Sequence, residues 1–395
     1  MTPTTNAAEE PFWLLDPAVT FLNHGSFGAC PRPVMAVQEA LRREMEANPV
    51  LFFGDGLAPR LDDALACLAE FLAADEGNLL FMSNATTAVN TVFHSLRLPA
   101  GGEILLTNHV YPAVRHTVMA AAEAVGLSVV EARIPFPLRD AGEAVQAILA
   151  ATTPRTAMAV LDHVTSPTAL ILPLERLLPA LRAQGILTLV DGAHAPGMIP
   201  LRLEELGADF YAGNLHKWVC APKGAGFLWI DPRHHGTMRP LVESNRNIRS
   251  RRCDTELRRR FFWTGTRDLS SWLTVPAALR ILQERYGPWP GIMAANRALA
   301  LEGRDRLAAA LGIEAAAPDE LTGAMVSLPL PPPWRWPEEG ESLFLPLQRR
   351  LQSKFAITVP IIPWPDPDHP LLRISAHRHN QASDYHRLAE ALLAL

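Results

Sequence analysis

Lys217 stands in "GNLHKW", between the rings of His216 and Trp218, where a lysine on a charged, solvated face would be the ordinary choice. Desolvation disfavours the ammonium form, lowers the lysine pKa and makes the amine a nucleophile. A lysine that snorkels its amine to water is the plain alternative. Asp191 ends the apolar run "ILTLV", and an acid there is costly unless it is paired, although capping of the next helix also accounts for it. His194 follows in "DGAHAPG".

Other apolar runs also end in polar residues. "SNATTAVN" after "LLFM" opens a helix whose free N–H groups and Thr86 and Thr87 hydroxyls suit an anion, most simply a phosphate; a plain N-cap is the alternative. "NHVYPAV" after "EILLT" carries His109 and Tyr111, and an aromatic ring there can stack on a planar ligand. "HVTSPTA" after "TAMAVLD" brings His163, Thr165 and Ser166, which are hydrogen-bonding groups and also common turn formers. One ligand uses an anion cradle, a stacking ring, a buried acid and a lysine together: pyridoxal phosphate. Its phosphate takes a helix N-terminus, its pyridinium nitrogen an acid, and its aldehyde a lysine.

These residues need a scaffold that brings strand ends together. From about residue 78 to 230, short apolar runs alternate with helical periods such as "AVRHTVMAAAEAV" and "PLERLLPALRAQ". That alternation predicts an α/β fold, a mainly parallel sheet with helices on both faces, and ligands in such sheets bind beyond the carboxyl ends of the strands. Two helices precede it, at about Arg32–Ala47 and Pro59–Ala73, and "DLSSWLTVPAALRILQERYG" reads as one long helix leaving it. The last hundred or so residues read as a smaller α+β unit with strands at "GAMVSLPL" and "LLRISA".

The motifs "FLNHGSFGACP", "SNATTAVN", "DHVTSPTALILPL", "VDGAHAPGMIPLRLEELGADFYAGNLHKW", "WTGTRD" and "LLRISAHRHN" resemble the class V aminotransferase family of pyridoxal phosphate enzymes, in its isopenicillin N epimerase-like branch. The resemblance spans about Phe21 to Asn380. It implies fold type I, with an N-terminal arm (1–20), a large cofactor domain (21–272), a small C-terminal domain (273–395) and a homodimer with shared active sites. It implies Lys217 as the lysine bonded to the cofactor and Asp191 as the partner of the pyridine nitrogen. His194 would lie near the ring; Ala85, Thr86 and His216 would hold the phosphate; Tyr111 would stack; Ser166 would lie near the ring. Gly265 and Thr266 resemble the piece that reaches the other subunit's phosphate. Arg373 resembles the arginine that grips a substrate carboxylate, with Asn23 and His24 bordering the substrate.

Cysteine desulfurases of this family need a nucleophilic cysteine in the C-terminal part, and no cysteine follows Cys253 here. Two reactions stay open: movement of the α-proton of an amino acid, with Tyr111 (or His24 or His109) as the opposite-face acid, and carbon–sulfur β-elimination of the cysteine-conjugate or hercynylcysteine sulfoxide type. Transamination comes third. "DGAHAPG", "PRHHG" and "ISAHRHN" lack a firm metal-ligand spacing, so no metal and no metal hydrolase is expected.

With 48% hydrophobic and 19% charged residues the chain can bury a large core, and a net charge of -5 gives no reason to expect nucleic acid or a membrane surface as partner. No apolar stretch reaches spanning length, and the N-terminus shows no secretory signal. The scattered Cys30, Cys67, Cys220 and Cys253 fit a reducing cytoplasm. The arginine-rich "NRNIRSRRCDTELRRRFF" leads into "WTGT" and reads as an interface or active-site-rim segment. Phe52 and Phe53 are either pocket wall or core.

Overall fold

A computed structural model describes residues 11–245, 249–331, 346–366 and 368–395. Its seven-stranded sheet runs in the order Leu79–Met82, Gly226–Ile230, Phe210–Asn214, Leu187–Gly192, Thr156–Asp162, Glu103–Thr107, Ser128–Ala132. Gly226–Ile230 is antiparallel to both its neighbours and the other pairings are parallel. The inner strands are buried on both faces because helices cover both, which is why they read as unbroken apolar runs. Ser128–Ala132 is a partly exposed edge strand, and its mixed pattern hides it from that criterion. The segment leading to Lys217 is strand only as far as Asn214; the lysine lies in the turn beyond.

Side chains alternate along each strand, so the sheet has two distinct cores. Met158, Val160, Leu189, Phe210 and Ala212 pack under the helices Ala85–Ser95 and Pro112–Val125. Ala159, Leu161, Val190 and Tyr211 pack under Leu57–Leu72 and Leu174–Ala183. The same alternation places Asp162, Asp191 and Asn214, at the ends of three neighbouring strands, on the first of these faces.

The long helix expected after the sheet is two helices, Ser270–Leu273 and Val275–Tyr286. Pro276 sits in the first turn of the second, where its missing N–H costs nothing, so the helix restarts there. Beyond it, the strands Ile361–Pro363, Pro370–Ser375 and Met325–Pro329 form an antiparallel sheet with its own core. The helices Trp289–Leu311 and Ala382–Leu393 pack against each other beside it. Thr20–Phe21 pairs with Ile357–Thr358, and Leu22 enters this core, so the N-terminal segment is tied to the C-terminal sheet. Among the described residues no helix is long and apolar enough to cross a membrane. The proline-rich stretch from residue 332 onward and Arg246 lie outside the described residues.

Candidate active site

A cavity of about 270 Å³ opens at the strand ends; its lining includes Asn84, Thr86, Tyr111, Asp162, Asp191 and Lys217. That is just below the usual range of small-molecule clefts, roughly 300–1,000 Å³. Of the residues singled out from the sequence, Ala85, Ser166, His194 and His216 also line it. A larger cleft of about 500 Å³, lined by Phe53, Arg249, Arg251 and Trp263 among others, contains none of the residues expected at the cofactor site; of the two phenylalanines, Phe53 lines this cleft and Phe52 is buried.

Lys217 Nζ lies 3.2 Å from His194 Nε2. Burial pushes its pKa down to about 7, helped by the charge of Arg373 and opposed by Asp191. His194 is kept neutral well below the usual imidazole range by burial and then by Lys217, and its Nδ1 is buried without a partner. Asp191 accepts a hydrogen bond from Ala193 N at 2.9 Å; burial raises its pKa, while that bond and Lys217 pull it back.

The helix Ala85–Ser95 begins at the cavity wall. Asn84 caps it by accepting from Thr87 N, and Ala85 N donates to Asn214 Oδ1 at 2.8 Å. Those two amides are spent, so the anion cradle is narrower than the sequence suggests and rests on Thr86. His216 binds Ala225 O through Nδ1, which leaves Nε2 for the cavity. Tyr111, 43% exposed, stands at the start of Pro112–Val125.

Arg373 does not line the cavity. Its guanidinium lies one layer behind, donating to the Ser166 carbonyl and hydroxyl and to Ser26 Oγ, and both serines do line it. It is 4% exposed, no described carboxylate pairs with it, and burial lowers its pKa to about 10. Ser26 was not singled out from the sequence, although it follows His24 closely in "NHGSFG"; Asn23 accepts its hydroxyl proton at 2.6 Å and reaches the site only through it.

His24 is not at the cavity either. It is fully buried beneath the lysine turn, 3.0 Å from Lys217 O and 3.2 Å from His379 Nε2. Gly28, with φ +70°, brings this segment so close that a Cβ there would meet His216 O at 2.0 Å. His377 stacks on His24 at 4.2 Å with 12° between the rings, and Cys220 Sγ is 3.5 and 3.7 Å from their Nε2 atoms. Nearly parallel rings direct those nitrogens side by side instead of at one ion, which suits hydrogen bonding better than metal binding. His109 spends both nitrogens, on Thr168 Oγ1 and Ile134 O. Neither histidine can serve as the opposite-face acid in this arrangement. Gly265 and Thr266 do not line this chain's cavity. Asp162 and Asn214 do, and the signal for Asp162 was the one that exposed Asp191: an acid ending an apolar run.

The arginine-rich segment is folded onto the body. Arg258 is fully buried against Asp62 and Ser250, Arg252 pairs with Glu76, and Arg259 with Asp254. Among the described residues of this segment these charges are answered within the chain.

The class V aminotransferase model matches residues 29–331. The chain belongs to that family. An isopenicillin N epimerase of Amycolatopsis lactamdurans is 40% identical, covering 96% of each chain. A probable chloroplastic L-cysteine desulfhydrase of Arabidopsis thaliana is 30% identical over 99% of this chain and 86% of its own. A solved cystine C–S lyase superposes with a TM-score of 0.78 at 22% identity, covering 95% of this chain and 97% of that one. The fold is therefore type I, as the motifs imply. The family's pyridoxal phosphate fits the residues present: a strand-end acid, an unspent helix-start amide at Thr86, a lysine near neutrality, and an unpartnered His194 Nδ1. None of the four cysteines lines the cavity, so no thiol stands ready for persulfide formation.

Proposed function

We propose that this chain moves the α-proton of an amino-acid substrate in an isopenicillin N epimerase-like reaction dependent on pyridoxal phosphate. One observation carries the reading: a lysine amine brought to about 7 beside a neutral imidazole, in a cavity floored by an acid. When bound, the cofactor supplies a sink for the electron pair left at the α-carbon.

Lys217 holds the cofactor's aldehyde and, once released, takes the α-proton; an amine near 7 is a ready base at neutral pH. Asp191 holds the proton on the ring nitrogen. Thr86 and His216 hold the phosphate, with Ala85 shaping that wall, and His194 faces the ring. Tyr111 covers the ring and returns a proton from the opposite side. Ser166 and Ser26 present the buried charge of Arg373 to the substrate carboxylate, Asn23 fixes Ser26, and His24 braces the lysine turn from below. Gly265 and Thr266 serve the partner's phosphate in a homodimer, the chain divides into arm (1–20), large domain (21–272) and small domain (273–395), and the protein works in the cytoplasm.

A second reading, carbon–sulfur β-elimination, is favoured by one observation: with His24 and His109 committed elsewhere, Tyr111 alone of the three acids considered borders the cavity. Elimination needs no second acid. Solvent deuterium entering Cα tests the shared step. Formation of the D-amino acid supports epimerisation; pyruvate from cysteine conjugates with no change of configuration supports the lyase. No deuterium uptake by any amino acid sinks both.

A further inference from the structure

Asp162 and Asp191 are register partners on adjacent parallel strands. Alternation points both to the same face, about 5 Å apart across the ladder, and both line the cavity. They are 2% and 4% exposed, above a floor of Val160 and Leu189. Asp191 has a donor in Ala193 N, whereas Asp162 Oδ2 is buried with no partner. We infer that Asp162 is a positioning residue of the cofactor site, a carboxyl that keeps its proton beside Asp191 so that the pair carries one negative charge.

Two carboxylates this close in an apolar setting do not both ionise. The surroundings decide which one does. Asp191 has the Ala193 amide and the charge of Lys217 in its favour. Asp162 has burial and then Asp191 against it, which hold its pKa well above the usual carboxylate range although its own backbone N–H pulls the other way. Directly after its strand, His163 points to the other face, where it bonds Tyr211 from the Phe210–Asn214 strand at 2.8 Å. His163 is held neutral at about 4, and the Tyr211 hydroxyl is pushed up by burial. From the loops around the cavity come His194 and His216, both neutral by burial, and Lys217; the Arg373 charge is held behind Ser166. None of these is hydrogen-bonded to Asp162 Oδ2.

A protonated Asp162 is a donor. Its O–H steadies the Asp191 carboxylate and lowers that group's basicity, so Asp191 holds the ring-nitrogen proton without taking it away. This consequence rests on the cofactor reading; the shared proton itself does not.

Infrared spectroscopy of the protein carrying carboxyl-labelled aspartate, with and without cofactor at pH 7, reads the proton directly. The expected result is a protonated-carboxyl band in the parent that is lost in Asp162→Asn. A parent with no such band, or a band that survives the substitution, overturns the inference. Unfolding of the cofactor-free proteins gives a second readout. An acid whose folded pKa lies above its unfolded value near 4 costs stability progressively as pH rises past 4. Asp162→Asn should therefore gain in Tm over the parent as pH goes from 5 to 9, and a pH-independent difference counts against the shared proton. In the loaded enzyme, the alkaline fall in α-deuterium exchange should be absent from Asp162→Asn; an unchanged pH profile removes the positioning role. Failure of borohydride to trap cofactor on Lys217 in the parent would sink the cofactor reading and leave the first two measurements standing.

Discussion

Arg258 and Arg373 are both taken almost wholly out of water, at 0% and 4% exposure, yet their surroundings differ in kind. Arg258 meets the carboxylate of Asp62, itself 1% exposed, at 3.2 Å, together with Ser250 Oγ and the Glu76 carbonyl. Asp62 also accepts from Ser250 Oγ and from the backbone of Arg251. Arg373 meets only serine hydroxyls and a carbonyl, and its charge falls on Lys217 and His194, lowering the pKa of both. Nε is unpartnered in both, so hydrogen-bond count does not separate them; counter-charge does. A buried cation paired inside the chain staples the fold, whereas one left unpaired beside a cavity costs stability, as the anion site proposed for Arg373 would.

The largest expected effect falls on the cavity side. Lys217→Ala should lose at least about 10⁴-fold in α-proton exchange, as expected when the base and the cofactor anchor go together. Retention of more than a hundredth of the parent exchange rate would move the chemistry to another residue.

Removing one partner of the stapled pair should act on folding. Asp62→Ala should destabilise by about 3–5 kcal/mol, because it leaves the Arg258 charge buried and unpaired. Denaturant titration gives the value; a loss under about 1 kcal/mol would show that water or a neighbouring group already shares that charge.

Arg373→Met should raise the substrate KM by about 30-fold or more, consistent with about 2 kcal/mol or more for a buried charge pair formed on binding. The cofactor-free protein should be as stable as the parent or more so. Equal loss of stability in Arg373→Met and Asp62→Ala would erase the distinction between the two arginines.

The last effect is a pH dependence. The Lys217 pKa falls from 10.5 to about 7, so between these values the unfolded chain binds more protons than the folded one and stability rises with pH. Lys217→Met without cofactor should therefore be more stable than the parent near pH 7, with the gap closing toward pH 10. A gap that stays constant across this range would mean the amine is not desolvated.

Much of the site was legible because apolar strands announce themselves and an acid or a ringed lysine at their ends contradicts the pattern. Asp191, Lys217, His194, His216 and Tyr111 all broke it visibly, and all five lie at the cavity. Asp162 broke it in the same way at the end of "TAMAVLD", but the hydrogen-bonding residues of the adjoining "HVTSPTA" carried the reading of that loop. The edge strand Ser128–Ala132 and the break at Thr274 were hidden because half-exposed strands and helix-start prolines weaken periodicity.

What the sequence by itself determined was the kind of sheet, the family and the chemical types gathered at its strand ends, since those depend on patterns along the chain. Tertiary structure alone decided which polar groups remain unsatisfied. It spent the Ala85 amide on Asn214, drew His24 and His109 into hydrogen bonds away from the cavity, and set Arg373 behind two serines. It gave Arg258 a carboxylate from a distant helix and gave Arg373 none. Those pairings are contacts between residues far apart in the chain, and burial and counter-charge are properties of such contacts.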